Sequence, residues 1–158
     1  MRGRQMFGVG TLAVILAVGS CKDDVGLTSI PPAPERFIAF LSGANERPTP
    51  VTTGAQGLAT LTVNGNVLSY RVELSNIDSA FLAHIHHAVA DSNGPVRVNL
   101  YVPPKPSTGL DFSGLLIEDT VTVLDSILTF IRNGGGYVNV HTKVNGGGEI
   151  RGQLFRFQ

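Results

Sequence analysis

Between Gln56 and Asn76 hydrophobic and polar positions alternate almost without a break. Leu61 and Val63 alternate with Thr60 and Thr62; Leu68, Tyr70, Val72 and Leu74 alternate with Ser69, Arg71 and Glu73. A two-residue period marks a strand with one buried face. Asn64-Gly65 separates the two runs, a dipeptide suited to the positive dihedrals of a tight hairpin turn. Other short apolar runs, broken by Gly, Pro and Asn, predict strands at 36–42, 81–87, 95–102, 114–123, 136–143 and 149–157, with 103–114 as the longest loop. About eight strands at this spacing predict an all-β fold, a Greek-key β-sandwich or barrel. One segment departs from the pattern. In "LDSILTFIRNGGG", Ile127, Leu128 and Ile131 recur at helical spacing, with Asp125 as N-cap and glycines as the stop, which predicts one short helix over 126–132.

The texture before Arg36 is different. Arg2 and Arg4 precede the uncharged, largely apolar run "FGVGTLAVILAVGS", too short to span a bilayer comfortably and ending in small residues before Cys21. This reads as an export signal. "VGSC" resembles a bacterial lipobox, in which the cysteine becomes the lipid-bearing N-terminus. Cys21 is the single cysteine, so no intramolecular disulfide exists, and lipid attachment accounts for it; the alternative is a plain cleaved signal with an incidental cysteine. Residues 22–35, with three prolines and scattered charge, read as a tether. The expected organisation is a signal peptide at 1–20, a lipid-anchored tether at 21–35 and a β domain at 36–158, held at the cell envelope outside the cytoplasm. The formal net charge is zero and no run of Lys or Arg occurs, which argues against nucleic acid as a partner. Acyl chains rather than charge would hold the protein at a membrane.

The chain has four histidines, three of them in "AHIHHA". On a strand His84 and His86 share a face, with Ile85 opposite. In "GYVNVHT", Val138 and Val140 point one way and Tyr137, Asn139 and His141 the other. The aliphatic side chains belong to the core, so His84, His86 and His141 are expected to project outward. Imidazoles two apart lie about 7 Å apart along a strand, near enough to share an ion, and a third from a neighbouring strand gives a nitrogen-rich site suited to copper or zinc. The competing reading is of ordinary polar residues on a solvated face. His87 falls in the inward phase and is expected at a strand end or packed. Glu46, Glu149 and Arg151 are the charged residues that would stand behind such a site. Glu149 and Arg151 share a strand face, as a partner for an imidazole or, preferentially, as a surface ion pair of little weight. Blue copper, zinc fingers and iron–sulfur clusters need cysteines the domain lacks, and neither a "GxSxG" context nor a phosphate loop is present. A weak internal echo links "NGPVRVNL" and "NGGGEIRGQL", each following a histidine-bearing strand.

"FLSGANERPTPVTTGAQGLATLTV", "AHIHHAVADSNGPVRVNLYV" and "YVNVHTKVNGGGEIRGQL" together resemble the CHRD domain, named after chordin and found in many exported bacterial proteins. The resemblance covers about residues 36 to 155. "KVNGGGEIRG" lacks the proline common in that turn, and His87 stands where the family has a smaller residue. The resemblance implies an extracellular binding module with no established catalysis. It also invites comparison with copper–zinc superoxide dismutase, a Greek-key barrel in which an H-x-H strand and a later histidine hold copper. This chain has neither the further zinc ligands nor the disulfide, so dismutase activity is not expected. Three readings stand: a copper- or zinc-binding envelope lipoprotein, a protein- or glycan-binding module, and a small copper redox enzyme.

Overall fold

The computed structural model describes residues 32–158; the expected signal peptide, Cys21 and most of the expected tether lie outside the described residues. The alternating runs form the expected strands, joined into one antiparallel, nearly closed barrel-like sheet of nine strands with one short helix. These are β1 (Glu35–Ser42), β2 (Gln56–Asn64), β3 (Val67–Ile77), β4 (Ala80–His87), β5 (Val96–Tyr101), β6 (Phe112–Thr122), α1 (Asp125–Arg132), β7 (Gly136–Thr142), β8 (Ile150–Gln153) and β9 (Phe155–Arg156). The run at 149–157 breaks at Leu154, whose side chain turns into the core, so two short strands replace the single one expected. The β2–β3 turn is Gly65–Asn66 rather than Asn64–Gly65, because Asn64 still pairs with Val67; Gly65 takes φ +57°, which suits glycine. The helix begins at Asp125 itself and Leu124 occupies the cap position, without a side-chain cap bond.

Strand order is β5-β4-β7-β8-β1-β2-β3-β6, with β9 also paired to β1. The consecutive strands β1–β2, β2–β3, β4–β5 and β7–β8 form hairpins, and the pairings β3–β6, β4–β7 and β8–β1 make the non-consecutive Greek-key links. The order makes sense of the internal echo: hairpins β4–β5 and β7–β8 lie side by side, with the histidine strands innermost. Phe37, Leu61, Leu68, Val72, Ile85, Val138, Val140 and Ile150 fill the barrel with little or no exposure, each worth about 1.5–3 kcal/mol relative to remaining in water. Tyr70 reaches from β3 across to β5 and donates its hydroxyl to the Leu100 carbonyl at 3.1 Å. No described helix is long and apolar enough to cross a membrane.

β7 departs from ordinary half-buried strands in being buried along its whole length. The Val138–Val140 face meets the core. The Tyr137–Asn139–His141 face is covered from outside, and polar groups so covered need partners. That requirement organises the site.

Candidate metal centre

β4 and β7 pair with His84 opposite Asn139 and His86 opposite Tyr137, while His141 lies opposite Leu82. Alternation puts all three imidazoles on the outer side of the wall, as expected from the sequence. They do not face solvent, however: His84, His86 and His141 are only 8%, 8% and 7% exposed. Loops 88–95 and 143–149 fold back over this outward face and cover it.

One ring nitrogen from each histidine lies within 4.8 Å of the others. The hydrogen bonds say which nitrogens these are. His86 Nδ1 is 2.9 Å from the Gly94 carbonyl and His141 Nδ1 is 3.0 Å from the Gly146 carbonyl. A carbonyl only accepts, so both Nδ1 atoms carry the proton and both Nε2 atoms keep a lone pair. His141 Nε2 lies 3.2 Å from His84 Nδ1. His86 Nε2 is buried and has no partner among the described residues. An ion held here would meet His84 Nδ1, His86 Nε2 and His141 Nε2, with two of the imidazoles oriented from behind by backbone carbonyls.

Electrostatics favour the same state. Burial, then the nearness of the other two imidazoles, pushes His84 down to about 4. Burial also lowers His86 and His141, with the bonds to Gly94 and Gly146 opposing in part. All three are neutral near pH 7, and with His141 Nε2 an acceptor His84 Nδ1 is the donor of the bond between them, so His84 would move its proton to Nε2 to bind a cation.

The cap is held by residues the sequence shows only as scattered polar positions. Arg151 is 1% exposed and is not a surface residue. Its guanidinium lies 3.5 Å from the Tyr137 ring centre and donates to the carbonyls of Val89, Ala90 and Ser92 and to Asn93 Oδ1, at 2.8–3.1 Å. Tyr137 in turn stacks on His86, ring centres 4.8 Å apart, and its hydroxyl accepts the Gly94 N–H. Gly94 is required where it stands: a Cβ there would lie 1.8 Å from the His87 carbonyl oxygen. Arg151 thus carries the loop whose Gly94 carbonyl orients His86.

Glu149 is buried and forms no ion pair with Arg151, against the surface pair preferred from sequence. It accepts from Thr142 Oγ1 at 2.9 Å and from Asn145 Nδ2, fastening the 143–149 loop that carries Gly146. Burial raises its pKa, but hydrogen bonds from Asn145, Thr53 and Thr142 outweigh this and hold it below the usual value. His87 ends β4 exposed, its ring stacked on Phe130, and takes no part in the site.

Glu46 comes closer than its loop position suggested. It is 3% exposed, and Asn139 Nδ2 donates to its Oε2 at 3.4 Å. Glu46 Oε1 and Asn139 Oδ1 are both buried without partners among the described residues, and both lie within 2.8 Å of the point a Gly148 Cβ would occupy. Burial pushes Glu46 up to about 7, with Arg151 and Asn139 pulling the other way. A folded pKa above the ordinary 4.5 means that its contribution to stability is full below about pH 4.5 and is lost as pH rises through about 7. Glu46→Gln, whose Nε2 supplies a donor to Asn139 Oδ1, is expected to gain on the order of 2–3 kcal/mol over the parent at about pH 8 and almost nothing at about pH 4. Urea unfolding at both pH values checks this; equal differences at both would refute it.

Fold and site together define a small antiparallel β-barrel module with a loop-covered three-histidine cluster on its outer wall. The family model for the CHRD domain matches residues 37–154, and the chain belongs to that family. No curated protein and no solved structure matches it significantly.

Proposed function

We propose that this chain is an envelope-anchored CHRD-domain lipoprotein, acylated at Cys21, that binds one copper or zinc ion through His84, His86 and His141. The observation that carries the metal reading is the convergence of three neutral imidazoles, of which His86 and His141 are oriented by backbone carbonyls and His86 also keeps a buried Nε2 with no partner among the described residues. Bound there, the ion would act as a Lewis acid or, for copper, as a one-electron centre. The protein's own residues orient the ligands, keep them neutral and limit access by water. The loop cover supports holding a metal rather than turning over a substrate, so the reading is of a binding protein and not an enzyme. Anchoring rests on the apolar run, the lipobox-like "VGSC" and the single cysteine.

The test is calorimetric titration of residues 22–158 with Cu(I), Cu(II) and Zn(II), against a variant with His84, His86 and His141 all replaced by alanine. One equivalent bound by the parent and none by the variant is expected. Equal behaviour of the two proteins would remove the metal reading and favour a protein- or glycan-binding module. Turnover of superoxide or peroxide by the copper-loaded parent would make it a redox enzyme instead.

A further inference from the structure

The outer face of β1 differs sharply from the covered wall of β4 and β7. Phe37, Ala39 and Leu41 point into the barrel, which turns Arg36, Ile38 and Phe40 outward. Ile38 pairs with Phe155, Phe40 pairs with Leu58, and Phe157 donates its N–H to the Arg36 carbonyl. Paired residues share a face, so Phe157, Phe155, Ile38, Phe40 and Leu58 form one apolar stripe along the barrel. Phe40, Phe155 and Phe157 are 66%, 60% and 53% exposed. Three large aromatics gathered on one face of so small a domain call for a covering surface.

Two features identify that surface. The first is the chain's own path: the stripe begins at the strand onto which the tether leads, and only thirteen residues, 22–34, separate Cys21 from β1. Fully extended, that tether spans about 45 Å, so a domain anchored at Cys21 stays within reach of the bilayer. The second is charge. Arg36 flanks the stripe at its tether end. At the other end a pocket of about 230 Å³ runs between Phe40 and Phe155 and is lined by Arg47, Asn45 and Gln153. Arg47 pairs with Asp91 at 3.1 Å and Arg71 with Glu73 at 2.7 Å, which leaves Arg36 as the cation of this face with no ion pair among the described residues. Exposed aromatics beside guanidinium groups suit the boundary between acyl chains and anionic headgroups.

We infer that the β1–β9 face is a lipid-docking surface, which seats Phe40, Phe155 and Phe157 at the headgroup level of an anionic membrane and leaves the histidine wall to one side. The inference draws on the anchored reading, but the docking face acts on its own and is tested without the anchor. Residues 22–158 retain every described element and the whole described core. They are mixed with sucrose-loaded vesicles of phosphatidylcholine, with and without phosphatidylglycerol, and the bound fraction is measured by sedimentation. Binding to the anionic vesicles is expected, falling roughly tenfold or more in the F40S/F155S/F157S variant, while Arg36→Gln narrows the difference between the two lipid mixtures. The thermal melts of the variants should match the parent's. Equal binding by the triple variant, no binding by the parent to either vesicle, or a stripe that instead pairs two copies of the domain in analytical ultracentrifugation would each overturn the inference. Acylation is read separately, from the mass of the N-terminal peptide of the full chain expressed in a bacterium. Failure of the anchor and failure of the docking face are thereby distinguished.

Discussion

His141→Ala is expected to lower metal affinity by at least about a hundredfold, more than loss of the supporting groups behind a site usually costs. His141 is the sole member of the cluster from β7, its Nε2 faces His84 Nδ1 at 3.2 Å, and its orientation is set by the Gly146 carbonyl rather than by a replaceable side chain. With His141 gone, His84 and His86 offer two nitrogens from one strand, and no other His, Cys, Asp or Glu among the described residues joins their cluster. The pH dependence should be distinctive. Free imidazoles compete with protons below about 6.5, but burial holds all three histidines lower, with His84 at about 4. Affinity should therefore change little between about pH 8 and pH 6 and fall steeply as the solution approaches about pH 4. The sign for stability is the same. Histidines whose folded pKa is depressed contribute stability above about 6.5 that is lost as pH falls through the folded value, because the unfolded chain takes up protons first. Chelator competition across that range measures the affinity. A midpoint near 6.5 would show that the imidazoles are solvated rather than covered.

Arg151→Ala should give the largest loss of stability of any single polar substitution in the domain, about 3–5 kcal/mol. The guanidinium is fully buried, lies on Tyr137 and satisfies three carbonyls and Asn93 of the loop at 88–95. Alanine leaves those acceptors and a void, and exposes the outer side of β7. For a domain of this size the melting temperature should drop by about 10 °C or more. Arg151→Lys keeps the charge but loses the planar fork and the stack, so an intermediate loss is expected. Metal affinity should fall as well, since the same loop carries the Gly94 carbonyl that orients His86. Circular-dichroism melts with and without metal separate the two effects. A melting temperature within a few degrees of the parent's would show that the loop holds without Arg151.

The comparison between Glu149 and Arg151 shows where reading the chain stops. Both stand two apart in "GEIRGQ", and on an exposed strand they would be a neighbouring ion pair. Instead each is buried and bonded to a different loop, Glu149 to 143–149 and Arg151 to 88–95. Glu149 finds its partners in the adjacent turn, whereas those of Arg151 lie in a loop far away in sequence, and no local pattern shows that this loop covers it.

The strands, the helix near Ile127 and the common face of His84, His86 and His141 were determined by the sequence alone. They follow from side-chain periods of two and 3.6, which any stretch carries within itself. The family was likewise legible in "AHIHHA" and "YVNVHT". The tertiary structure alone decided that β4 lies beside β7, bringing three nitrogens within 4.8 Å, and that loops cover them. It alone chose the protonated nitrogens, through Gly94 and Gly146, and gave Tyr137 and Arg151 their roles. Backbone carbonyls leave no mark in composition or spacing, and strand order is set by how the barrel closes around its core.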